Sequence, residues 1–206
     1  MADRKQQYEQ VYGKLQADVE GVRGRRDITP QAKRVAIARA YAQARDKLRA
    51  AQQADVDAYQ SKRTGLERRL FGAEKATGTD AISRRDARDR AKKFEDPTEA
   101  IGAFKHAQRD GDSVLAQAIA LHAAEMATSP VGRVDPKWQG VVSAYAESSP
   151  GKADIYRELT ELRSPTTFAE APYYSVMKPS ELGVMKEPDI DRLAATDLDI
   201  GGVDPA

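Results

Sequence analysis

The residues best suited to metal or acid–base chemistry are His106 and His122, the only two histidines of the chain. They fall on successive predicted helices, and antiparallel packing would bring them near Glu99, Asp110 or Glu125. A structural zinc site needs four ligands at a more regular spacing than these residues offer. We therefore expect no metal site at the histidines.

Paired carboxylates occur near the C-terminus, at Asp189 and Asp191 and again at Asp197 and Asp199. A calcium loop would need further spaced ligands and a closing bidentate glutamate, which are missing. The sequence also lacks a glycine-rich phosphate loop, a Gly-x-Ser-x-Gly elbow and a serine-lysine signature. Because the chain has no cysteine, thiol chemistry and disulfides are excluded. We expect a non-enzymatic protein without catalytic residues, metal or cofactor.

Basic residues offer a different chemistry, the binding of phosphates. Residues 1–93 contain 23 Lys and Arg against 13 Asp and Glu, whereas residues 94–206 contain 10 against 19. The basic half could bind nucleic acid, although a solvated charged face also explains it because acidic residues are interspersed. Alternatively, the two halves attract each other, within one chain or between copies. The residues of the nucleic-acid alternative are Arg25, Arg26, Arg84, Arg85, Arg88 and Arg90.

One long helix is the clearest element that the sequence predicts. Thr29 followed by Pro30 is typical of an N-cap and a first helical position, and Gly72 is typical of a helix end. Residues 28–72 therefore predict a helix on the order of 60 Å long. Four of its apolar residues recur at intervals of eleven, which indicates little supercoiling. They are Ile37, Leu48, Tyr59 and Leu70.

The neighbours of this long helix are too short to cover it. Residues 3–23 predict an amphipathic helix that folds back antiparallel after a short connection, and it reaches only the first half. Residues 80–94 predict a helix that is poor in large apolar residues. We expect either that the remaining part lies partly in solvent or, preferably, that a partner chain covers it. The residues of that interface are Val56, Tyr59, Leu66, Leu70 and Phe71.

Residues 95–163 predict four short helices in two hairpins, with Trp138 as a core residue. Asp96-Pro97 and Asp135-Pro136 are typical helix starts. The first hairpin, in its small-residue spacing and its Asp110-Gly111-Asp112 turn, resembles a tetratricopeptide-type hairpin, and the second hairpin does not repeat the pattern. A peptide-binding helical adaptor is therefore one alternative function.

Residues 164–206 predict an extended tail, because prolines interrupt them throughout. Apolar residues are scattered along this tail, and Val-Met-Lys occurs twice, eight residues apart. Extended segments with spaced apolar anchors typically lie along a partner, although this one could also drape over its own bundle. The predicted anchors are Tyr173, Tyr174, Val176, Met177, Val184 and Met185.

Together these patterns predict an all-α protein: a long antiparallel helical hairpin, a small bundle of short helices and an extended C-terminal tail. The expected segments are 1–94, 95–163 and 164–206. We expect an assembly or scaffolding protein that associates with itself or with protein partners, similar in texture to small structural proteins of bacteriophage particles. No signal peptide or membrane span is evident, so the expected location is the cytoplasm or a macromolecular assembly such as a virion.

Overall fold

The computed structural model describes residues 2–72, 78–127 and 135–197. All regular secondary structure in these ranges is helical, which confirms the all-α class. The described helices are α1 (Ala2–Gly24), α2 (Pro30–Phe71), α3 (Gly78–Ala91), α4 (Pro97–Arg109), α5 (Ser113–Ala127), α6 (Pro136–Glu147), α7 (Pro150–Glu161) and α8 (Glu187–Ala194). Short 3-10 turns occur at Ala171–Tyr174 and Ser180–Leu182. No helix among the described residues is long and apolar enough to cross a membrane.

Local sequence sets the helix ends as predicted. The Thr29 hydroxyl accepts a hydrogen bond from the backbone N–H of Ala32 at 3.1 Å, so it caps α2. Asp96 caps α4 in the same way, accepting from the backbone N–H groups of Thr98 and Glu99. These caps satisfy donors that the first turn of a helix leaves without partners.

The turn between α4 and α5 depends on a glycine. Gly111 has φ +74°, a backbone conformation that is unfavourable for residues other than glycine. Its neighbour Asp112 donates its backbone N–H to Ala107 O at 2.8 Å, which closes α4 with a Schellman motif. The Asp112 carboxylate then accepts from the Leu115 N–H at 2.9 Å and caps α5. The hairpin predicted at this position is therefore fixed by three consecutive residues.

Contacts divide the chain into two compact units. Unit 1 combines residues 1–59 with residues 164–206, and unit 2 comprises residues 60–163. This grouping differs from the three predicted segments because the C-terminal segment packs with the N-terminal helices. The long helix α2 contributes to both units.

Unit 1 is built on α1 and the N-terminal part of α2. These helices are joined by a short connection, and Arg4 near the start of α1 lies 2.8 Å from Asp55 of α2, so the two run antiparallel. Their apolar faces share one core with two residues from the C-terminal segment. The largest contributors to this core are Val11, Leu15, Val19, Val22, Val35, Ile37, Tyr41, Leu48, Leu182 and Ile190.

The C-terminal segment is not wholly extended. It contains the short helix α8, which the sequence did not predict. The side chains of Leu182 and Ile190 in this segment are completely buried against α1 and α2. The alternative of a tail packed on its own helices is therefore the arrangement in unit 1. A helix of eight residues presents too few turns for a periodic pattern to stand out.

Unit 2 surrounds the C-terminal end of α2 with α3 to α7. Leu66 and Leu70 are buried, and the Tyr145 hydroxyl donates to Leu70 O at 3.2 Å while its ring stacks on Phe71. At Leu66 and Leu70 this corrects the preferred expectation that a partner chain covers the helix, because the helices of unit 2 cover these two residues. Trp138 is buried in the same core, as predicted.

The burial of the C-terminal segment can be tested with two neighbouring residues. Leu182→Ala removes a fully buried side chain and should lower the free energy of unfolding by about 2–4 kcal/mol. Val184→Ala truncates a side chain that is 100% exposed and should change it by less than about 0.5 kcal/mol. Chemical denaturation followed by circular dichroism measures both. Equal effects would show that the segment does not form part of the core.

Candidate functional site

The C-terminal segment is held on unit 1 by ion pairs. We call its described part, residues 164–197, the arm. The guanidinium of Arg23 donates to both carboxylate oxygens of Glu181, at 2.6 and 3.0 Å. This bidentate geometry is the strongest form of such a pair, and the Arg23 hydrogen bonds lower the pKa of Glu181 to about 2.

Three arginines of α2 hold α8. Arg45, itself buried, lies 2.7 Å from Asp191, and Arg49 pairs with Glu187. Arg39 donates to Ala194 O at 2.9 Å and to Thr196 O at 2.6 Å, so it satisfies carbonyls at the helix end. The attraction between the oppositely charged halves therefore acts, in unit 1, within one chain. The only sign of this attraction in the sequence is that the tail is rich in acidic residues and the long helix is rich in arginines.

A partly buried polar cluster fixes the start of the arm. The hydroxyl of Tyr174 donates to Asp55 at 2.6 Å, and Arg4 donates to the same Asp55 oxygen at 2.8 Å. Glu170 is 5% exposed, and its Oε2 lies 3.3 Å from Arg4, within ion-pair distance but outside hydrogen-bond geometry. Burial first, then the hydrogen bond to Asp55, raises the pKa of Tyr174. The cluster joins α1, α2 and the arm.

Three large apolar side chains of the arm are exposed. Phe168 is 97% exposed, Met177 78% and Val184 100%. The two Val-Met-Lys copies face in opposite senses. In the first copy Val176 packs on the core and Met177 is exposed, whereas in the second Met185 packs on the core and Val184 is exposed. The remaining predicted anchors are Tyr174, which is buried, and Tyr173, which is half-buried.

The predicted nucleic-acid residues fall into two groups. Arg25 pairs with Asp27 and Arg26 is exposed in the connection before α2. The other four lie on α3, and the segment from position 81 to position 93, which runs two residues past the end of this helix, has six basic residues against two acidic ones. Arg90 lies 3.9 Å from Asp86. The remaining three, Arg84, Arg85 and Arg88, have no carboxylate within ion-pair distance in the described part of the chain.

Unit 2 contains an apolar cleft that bears on the peptide-binding alternative. The cleft has a volume of about 580 Å³ and lies between the end of α2 and helices α5, α6 and α7. Its polar margin includes Arg63 and Glu67, which form an ion pair with each other at 2.8 Å. Its apolar lining consists of Phe71, Leu121, Ala124, Val142, Tyr156 and Leu159.

The histidines occupy separate environments. His122 Nε2 lies 3.0 Å from Phe94 O, and its ring meets the Trp138 ring edge to face at 5.7 Å. His106 is exposed on α4. Among the residues that the structure describes, no three His, Asp or Glu side chains converge as potential metal ligands.

No protein-family model matches the chain, and no curated protein or solved structure matches it either. The tetratricopeptide resemblance of α4 and α5 therefore carries no family assignment.

The Arg23–Glu181 pair predicts a defined pH dependence. The pKa of Glu181 is lowered from 4.5 to about 2 on folding. The ionised carboxylate therefore stabilises the folded protein above about pH 4.5, and this stabilisation is lost as the pH falls towards 2. Glu181→Gln should therefore be less stable than the wild type at pH 7, and the difference should shrink below pH 4.5. Urea denaturation across this range measures it. Glu161→Gln, at an exposed carboxylate of α7, is the control and should show no such convergence.

The polar cluster can be tested with adjacent tyrosines. Tyr174→Phe removes the hydroxyl that donates to the Asp55 carboxylate and should lower the free energy of unfolding by about 1–2 kcal/mol. Tyr173→Phe alters a half-buried ring that makes its contact with Tyr8 edge to face, and it should change stability by less than about 0.5 kcal/mol. Thermal denaturation distinguishes the two variants. A similar response of both would argue against the cluster as a fixing point of the arm.

Proposed function

We propose that this protein is a non-enzymatic assembly protein whose arm is a docking surface for a second copy of the chain. The observation that supports the proposal is the orientation of the arm. Leu182 and Ile190 pack on its own helices and Glu181 and Asp191 pair with arginines of those helices, whereas the side chains of Phe168, Met177 and Val184 are exposed.

The exposed apolar residues of the described chain are concentrated on the arm. Single exposed apolar residues are normal on a protein surface. Five large ones are exposed among the described residues, and three of them lie between residues 168 and 184. The other two, Ile82 and Met126, lie on separate helices of unit 2. We take this concentration on one segment as support for an interaction surface on the arm.

The arm is also preorganised for binding. Leu182 and Ile190 are buried in the core of unit 1, and the ion pairs to Arg23 and Arg45 fix the segment between and around them. A partner would therefore bind a segment that is already ordered. Binding to an ordered segment avoids the entropy cost of folding a disordered one.

A second copy is the occupant that the charge of the chain favours. The net charge is +1, so two copies repel each other only weakly. The arm carboxylates of Glu181, Glu187 and Asp191 are already paired within the chain. The contact should therefore be mainly apolar and should depend little on salt.

The predicted interface on the long helix has a smaller role in this proposal. Leu66 and Leu70 are buried in unit 2, while Val56 and Tyr59 are half-buried. Association of copies through the arm agrees with a structural subunit of a larger particle, which remains the setting that we propose.

Substitution of the outward residues tests the proposal. The triple variant Phe168→Ser, Met177→Ser, Val184→Ser should shift the full chain from a self-associated species to a monomer. Its stability should stay within about 1 kcal/mol of the wild type because all three side chains are exposed. Sedimentation velocity over a concentration series measures the association. The control Ile82→Ser, Met126→Ser removes exposed apolar side chains elsewhere and should leave association unchanged.

A wild-type chain that stays monomeric at every concentration would overturn self-association through the arm. Equal loss of association in the control would assign the effect to general surface hydrophobicity. Deletion of the whole arm is not a suitable test, because it would also remove Leu182 and Ile190 from the core of unit 1.

A further inference from the structure

We infer that one face of α3 binds the phosphate backbone of double-stranded nucleic acid without sequence preference. The face consists of Arg84, Arg85 and Arg88 of α3 together with Lys92, the first residue after the helix, whose backbone N–H donates to Arg88 O at 3.0 Å. We call these four residues the basic stripe. It lies in unit 2 and is independent of the arm, so the self-association proposal and this one can fail separately.

Burial of two alanines fixes which side of α3 is exposed. Ala87 and Ala91 are 3% and 0% exposed and pack in the core of unit 2. Arg84, Arg88 and Lys92 follow one another at intervals of four, so they lie in one row beside the buried alanines. The row is about 12 Å long at 1.5 Å per residue. Arg85, which follows Arg84 in sequence, lies beside this row and makes the basic face wider.

The basic stripe has no neutralising partners in the described part of the chain. Its four residues form no ion pair there, although Asp89 lies on the same helix. Like charges four residues apart destabilise a helix by a few tenths of a kcal/mol per pair. By contrast, arginines on α1 and α2, such as Arg23, Arg45 and Arg49, pair with carboxylates of the arm. An external anion would supply the charge that the stripe lacks.

The surface around the stripe can receive such a ligand. A depression of about 540 Å³ is lined by all four residues of the stripe together with Ala81 and Asp89. On the other flank, Arg84 and Arg88 border a smaller cavity of about 80 Å³ together with Gln117 of α5. The stripe therefore presents guanidinium donors on both flanks, and guanidinium groups bind phosphate oxygens with two parallel hydrogen bonds.

The composition of the stripe favours a duplex over other polyanions. No aromatic residue occurs between positions 81 and 93, so the face lacks the stacking platforms that single-stranded nucleic acids use. It also lacks the aromatic anchors that dominate peptide and protein interfaces. A duplex carries one negative charge per ~1.7 Å of axis, so a row of about 12 Å faces more charges than the stripe can neutralise.

A salt titration of the full chain tests this inference. Fluorescence anisotropy would follow binding to a labelled DNA duplex of about 20 base pairs, in two unrelated sequences, at about 50–200 mM salt. Four phosphate contacts predict a slope of about −3 to −4 in log K against log salt, the same for both sequences. The variant Arg85→Gln, Arg88→Gln, Lys92→Gln should weaken binding at least about tenfold and flatten the slope by about two to three.

A matched control separates the stripe from net charge. The variant Lys47→Gln, Lys105→Gln, Lys137→Gln removes the same charge from exposed residues of α2, α4 and α6, and it should keep the slope within about one of the wild type. Circular dichroism should show unchanged helicity in both variants.

Three results would overturn the inference. The first is the absence of salt-dependent binding, and the second is an equal loss in the control, which would assign binding to net charge. The third is displacement of the duplex by polyglutamate at equal charge concentration, which would show a site for acidic polypeptides.

Discussion

The length of α2 determines how much apolar surface the rest of the described chain must cover. A helix of 42 residues is about 60 Å long, and its apolar side chains must be shielded from water over most of that distance. In unit 1 the cover comes from α1 and from the arm, and in unit 2 it comes from helices that follow α2. Segments far apart in sequence therefore share one helix as their packing partner.

The boundaries of most helices could be predicted because they depend on neighbouring residues. Thr29 caps α2 through its own hydroxyl, Asp96 caps α4, and Gly111 supplies the left-handed conformation between α4 and α5. Each interaction spans at most a few residues, so the sequence contains all the information it needs. The clustering of arginines on α3 could be predicted for the same reason, since these residues are close together in sequence.

The partners of the long helix could not be predicted, because they depend on which distant segments meet. Sequence spacing assigned the cover of Leu70 to another chain, whereas Tyr145, 75 residues away, contacts it. The two Val-Met-Lys copies look equivalent in sequence but face in opposite senses. Gly183, with φ +50°, lies between them and follows the buried Leu182. The burial of each side chain there follows from the backbone path, which a single sequence does not reveal.

The net charge of the chain says little about the charge of its individual surfaces. The overall value is +1 because basic and acidic residues are equal in number to within one. In unit 1 several arginines of α1 and α2 pair with carboxylates of the arm, while three large apolar side chains of the arm stay exposed. On α3 the small alanines face inward and the cations face outward. The two surfaces should therefore differ in their response to ionic strength, since screening weakens binding at the charged one and leaves association at the apolar one nearly unchanged.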